Sequence, residues 1–92
     1  MTQKPQLVCD NALFDVFIGA GLYQELYDWW SANGLDAGEH YVNEPVTITT
    51  DERGRRTIHY TAPLYEPGQP MHGTEKRSAP LKVEPPAHWP TA

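Results

Sequence analysis

Proline constrains this chain more than any other residue. Seven of its nine prolines fall within residues 63–92. Each fixes φ and removes a backbone donor, so regular elements are costly wherever prolines cluster. Pro-Gly, Gly-Thr and Pro-Pro steps interrupt any ladder in this stretch. Leu81-Lys82-Val83 is the one run suited to a short strand. The remainder reads as an extended or disordered Pro-rich tail. The 92 residues leave no room for two ordinary domains. The expected organisation is a small α+β domain over residues 1–62, followed by the tail over residues 63–92.

Residues 21–33 carry the strongest helical signal. At 100° per residue, Leu22, Tyr23, Leu26, Tyr27, Trp29 and Trp30 occupy one arc about 160° wide. Gln24, Glu25, Asp28 and Ser31 lie opposite. Asn33-Gly34 is a stop signal, with Gly34 suited to the left-handed C′ position and Leu35 to the apolar contact that follows it. Residues 11–18 are also helical in pattern, with Asp10 as N-cap. Their phase differs, however. One continuous helix would bury Asp15 and expose Phe14 and Phe17. A break at Gly19-Ala20-Gly21 resolves the conflict. Two short helices meeting at an angle are therefore expected, the alternative being a single helix covered on all sides.

Residues 46–61 read as a β-hairpin. Val46-Thr47-Ile48-Thr49-Thr50 and Arg55-Arg56-Thr57-Ile58-His59-Tyr60-Thr61 flank Asp51-Glu52-Arg53-Gly54. Asp at the first turn position and Gly at the fourth suit a type I turn with a G1 bulge. This turn sets Ile48 opposite Ile58, Val46 opposite Tyr60, Thr49 opposite Thr57 and Thr47 opposite His59. Apolar pairs then share one face and hydroxyl pairs the other. The fold class that follows is α+β, with two short N-terminal helices packed on a β-hairpin.

That hairpin offers the helices only Val46, Ile48, Ile58 and Tyr60. The aromatic side chains exceed what one hairpin can cover. The surplus aromatics are expected to remain exposed, pair across a dimer or be covered by the tail. Tyr23, Tyr27, Trp29 and Trp30 are the candidate partner-binding surface, joined by Trp89, a docking anchor in the tail that seats either back on the domain or on a partner. Pro67-Gly68-Gln69-Pro70 matches a P-x-x-P spacing and reads as linker.

Chemistry is sparse. The lone Cys9 cannot form an internal disulfide, and it reads as a small apolar residue. His40, His59, His72 and His88 are too dispersed for a metal-ligand pattern. No G-x-S-x-G elbow or phosphate loop occurs. A Cys9 dyad with His40 or His59 would require the fold to bring them together. No catalytic residue, metal or cofactor is expected, and the chain reads as non-enzymatic. Asp10, Asn11 and Asp15 interrupt the only candidate leader, and no window spans a membrane. The expected location is cytoplasmic.

Charge is unevenly distributed. Residues 1–45 hold one base against seven acids, whereas residues 46–92 hold six against five. The net charge of -5 excludes a generally basic nucleic-acid binder. A local exception is the predicted hairpin tip, where Arg53, Arg55 and Arg56 are the candidate nucleic-acid contact, the favoured reading being a solvated turn whose arginines neutralise Asp51 and Glu52. The leading expectation is a small protein-binding module that engages a protein partner or itself as a homodimer. Its size and composition are similar to those of small accessory or inhibitory proteins of phages and mobile elements.

Overall fold

The computed structural model describes residues 4–91. It is an α+β fold in which four antiparallel strands carry two helices on one face. Strand β1 (Gln6–Cys9) leads into α1 (Asn11–Gly19) and α2 (Tyr23–Ala32). A 3-10 turn (Ala37–Glu39) precedes β2 (Val46–Thr50), β3 (Arg56–Leu64) and β4 (Gly73–Pro80). The strand order is β1-β2-β3-β4, with every neighbour antiparallel.

The two helices separate where the phase conflict requires. The Asp10 carboxylate caps α1 by accepting from Leu13 N at 2.8 Å. Gly21 then turns the chain at φ 74°. Phe17 is buried and Asp15 is exposed. At the end of α2, Gly34 adopts φ 82°. Leu35 N donates to Trp30 O and Gly34 N to Ser31 O, forming a Schellman closure with Leu35 buried beneath it.

The central hairpin has the expected register. Thr47 pairs with His59, Ile48 with Ile58 and Thr49 with Thr57. Asp51 organises the turn. Its Oδ1 accepts from the backbone N–H groups of Arg53 and Arg55, both at 2.9 Å, and Gly54 adopts φ 80°. Val46, Ile48, Ile58 and Tyr60 are buried. The hydroxyls face the opposite side, where Thr49 Oγ1 lies 2.7 Å from His59 Nε2.

Two corrections apply to the sheet. It has four strands rather than two, and the Pro-rich segment contributes one of them. Residues 73–80 pair with β3 along its length, from Leu64–Gly73 to Thr57–Pro80. The expected boundary at residue 62 therefore falls inside β3. Leu81-Lys82-Val83 is not a strand, because the ladder ends at Pro80. Pro63 is accommodated without losing a ladder bond. Leu64 O accepts from His72 N toward β4, so the adjacent Pro63 turns its ring nitrogen to the opposite side, beyond the end of β2. The second added strand is β1, which pairs with β2 through an irregularity between Leu7 and Cys9. This local shift lets both Val8 and Cys9 turn inward, and both are buried.

One apolar cluster fills the space between sheet and helices. It draws Leu13 and Phe17 from α1, Leu26, Trp29 and Trp30 from α2, and Val46, Ile48, Ile58 and Ala62 from the sheet. Trp89 completes it from beyond β4.

Candidate partner-binding surface

The five expected partner-binding residues divide by burial. Trp29, Trp30 and Trp89 lie inside the core at 5%, 2% and 6% exposure. They are therefore corrected from surface to interior. One hairpin cannot cover these aromatics, but the sheet has four strands. Four strands and the C-terminal segment provide the missing cover. The indole of Trp30 donates to Asp36 O, and that of Trp29 to Val83 O, both at 2.7 Å. Their polar ends are thus satisfied inside the fold.

Tyr23 and Tyr27 remain at the surface. Tyr23 is 51% exposed and Tyr27 is half-buried behind it. Their rings lie 5.0 Å apart, and both stand near Phe14. The α1–α2 break creates this grouping by folding Phe14 back onto the first turns of α2. Ile18, one helical turn after Phe14, is 51% exposed. Phe14, Ile18, Tyr23 and Tyr27 therefore supply apolar surface on one side of the helical pair. Asp15, Asp28 and Gln24 are exposed on the same two helices.

His40 closes the inner side of this group. Its ring lies 5.8 Å from Phe14, 5.6 Å from Tyr27 and 5.2 Å from Trp30. Tyr27 Oη is 2.7 Å from His40 Nδ1. Burial lowers the His40 pKa to about 4. Burial also raises the Tyr27 phenol to about 12, with smaller contributions from Tyr23 and Cys9. Both groups are therefore neutral at pH 7, and they share one hydrogen bond whose direction follows the imidazole tautomer. Sequence reasoning treated His40 as one of four dispersed histidines. No local pattern marks a histidine that stacks against residues 10 to 26 positions earlier.

Cys9 and His40 line the same apolar pocket, but they form no activated pair. The thiol is buried and donates to Asp10 O at 3.5 Å. Burial, reinforced by Asp10, pushes its pKa up to about 12. Its one hydrogen bond among the described residues is to a backbone carbonyl, and His40 Nδ1 is committed to Tyr27. His59 lies on the other face of the sheet. Among the described residues, no three His, Cys, Asp or Glu side chains gather closely enough to hold a metal ion. Nor is any helix among them long and apolar enough to cross a membrane.

The arginine tip is largely neutralised. Arg55 Nε contacts Asp51 Oδ2 at 2.9 Å. Arg56 makes a two-pronged contact with Glu84, at 2.8 and 2.7 Å. Only Arg53 of the three has no carboxylate partner among the described residues. Sequence proximity brought the three together, whereas Glu84 reaches Arg56 only through the fold.

Two features escaped the sequence. Asn33, expected only to end α2, is 2% exposed and binds the C-terminal segment through its side chain. The connection between β3 and β4 presents Tyr65 and Met71 to solvent. Comparison with protein-family models, with curated proteins and with solved structures finds no match to this chain.

Proposed function

We propose that this protein is a small non-enzymatic protein-binding module whose contact surface centres on Tyr23. The carrying observation is the half-exposed Tyr23 ring, backed by Phe14 and Tyr27 and adjoining exposed Ile18. Amphipathic aromatics held in place lose little side-chain entropy on contact, which favours them as interface anchors. Tyr27 and His40 hold this group from behind through a 2.7 Å hydrogen bond. Asp15 is exposed beside Phe14 on the same helix, so the partner this group suits presents an apolar pocket with a basic margin. The accessory or inhibitory role suggested by size and composition is compatible with such a surface. The buried thiol and the committed imidazole favour binding over catalysis.

A photo-crosslinking amino acid at Tyr23 tests this reading. The expected result, in cells expressing the protein, is one discrete adduct that Ile18→Glu abolishes and raised salt weakens. The same probe at Glu52, in the exposed β2–β3 turn, should give none. Equal labelling from both positions, or none from Tyr23, would remove the proposal. The alternative, nucleic-acid contact through Arg53, Arg55 and Arg56, is less favoured because carboxylates already hold two of the three.

A further inference from the structure

The segment after β4 is held in the manner of a bound peptide. Its backbone is read by side chains. Asn33 Oδ1 accepts from Lys82 N at 2.7 Å and from Val83 N at 2.9 Å. Asn33 Nδ2 and the Trp29 indole both donate to Val83 O, at 3.2 and 2.7 Å. One amide side chain thus supplies donor and acceptor to an extended backbone, as a neighbouring strand would. Arg56 grips Glu84 through Nε and Nη2, while Nη2 also reaches Gln6 and Nη1 reaches Thr50.

One side chain then enters the core. Trp89 packs edge-on to Phe17 and Trp29, with centroids 5.2 and 5.6 Å away. Its indole donates to Glu25 Oε1 at 3.2 Å, and His88 Nε2 lies 2.6 Å from the same oxygen. By contrast, Lys82, Val83, Glu84, Ala87 and His88 are exposed. The segment adds no strand to the β1 edge. A cleft of about 180 Å³ remains between it and Gln6, Leu7 and Val8. Backbone recognition, a single deep anchor and incomplete side packing distinguish a ligand from an integral layer.

We propose that this groove is a peptide-recognition site for an extended Pro-rich segment with a tryptophan anchor. Residues 82–90 fill it in cis, and its occupant in trans is the same segment of a second copy. A second copy is the occupant of choice because exchange restores every contact described above. The site lies apart from the Tyr23 surface and does not depend on it.

The test uses the full chain carrying Trp89→Ala, whose groove lacks its anchor, and a fluorescent peptide spanning residues 81–92. Saturable binding is expected, with a dissociation constant on the order of 10 µM. Wild-type chain should bind the peptide about 100-fold more weakly, since a tethered segment competes at millimolar effective concentration. A Trp89→Ala peptide should not bind. In sedimentation, Trp89→Ala chain mixed with Asn33→Ala chain should form a heterodimer that neither forms alone. The former keeps the groove and the latter keeps the segment. Absence of peptide binding by folded Trp89→Ala chain would overturn the proposal, as would equal binding by wild type. An unfolded Trp89→Ala chain would also overturn it, by making Trp89 an integral core residue. Hydrogen exchange of the wild-type chain gives a reading free of variants. The Lys82 and Val83 amides should open before the β2–β3 amides, and opening only with global unfolding would refute detachment.

Discussion

The Trp89 ring stands at 82° to that of Phe17, with centroids 5.2 Å apart, although 72 positions separate them in sequence. This contact closes the core from outside the sheet. It predicts unequal costs for two tryptophan truncations. Trp30→Ala removes a fixed core side chain and should cost about 4 kcal/mol. Trp89→Ala should cost about 2 kcal/mol, because its loss is capped by the docking free energy of one segment. Urea unfolding followed by far-UV circular dichroism would measure both, and equal costs would contradict the distinction.

Asn33 makes a second, sharper prediction. Asn33→Ala removes the acceptor shared by the Lys82 and Val83 N–H groups, and should destabilise by about 2 kcal/mol. Asn33→Asp retains the acceptor but loses the donor to Val83 O and buries a charge. It should therefore fail to rescue at pH 7. Thermal unfolding of the two variants beside wild type decides the point.

The Tyr27–His40 contact gives a pH dependence. His40 has its pKa lowered to about 4 in the fold, against an ordinary unfolded value near 6.5. Between these values the unfolded chain binds the extra proton, so stability rises with pH across that window. It should be complete above pH 6.5 and fall by about 2 kcal/mol on acidification toward pH 4, allowing for partial solvent access. His40→Gln should flatten this part of the profile. Acid loss from Asp51, held low chiefly by the Arg55 backbone N–H, occurs below the ordinary carboxylate range and is separable.

Cys9 should be chemically silent in the native state. Its thiol is buried and its pKa is raised to about 12. A disulfide reagent at pH 8 should label it only at the rate of opening, and fully in denaturant. Rapid native labelling would show that β1 detaches easily.

The hairpin turn offers a conformational prediction. A Cβ at Gly54 meets nothing within 4 Å, so Gly54→Ala should cost about 1 kcal/mol, through the left-handed backbone alone. Denaturant midpoints of the two proteins provide the comparison.

What the sequence revealed follows the range of the forces involved. The β2–β3 register, the helix break at Gly21 and the burial of Leu35 are set by neighbours within a few turns, and all three were readable. Strand β4 was not, because Gly73-Thr74-Glu75-Lys76-Arg77-Ser78-Ala79-Pro80 has little apolar alternation. It is an edge strand, and it takes its shape from the β3 backbone beside it. Strand β1 was hidden by its four-residue length and its local irregularity. At the candidate surface, the alternation of α2 identified which residues turn inward together. It left open whether the surplus aromatics stay exposed or are covered by the tail; the sheet and residue 89 between them cover Trp29 and Trp30, leaving Tyr23 outside. Asn33 and His40 act across 49 and 13 positions, beyond any local pattern.

Trp89 follows in chain order everything it touches. During synthesis, Phe17 and Trp29 emerge long before the side chain that covers them. The nascent protein therefore carries an open aromatic cleft until residue 89 is made. Closure of this part of the core waits for residue 89 to emerge, and until then the exposed aromatics are a target for chaperones in a way the folded domain is not.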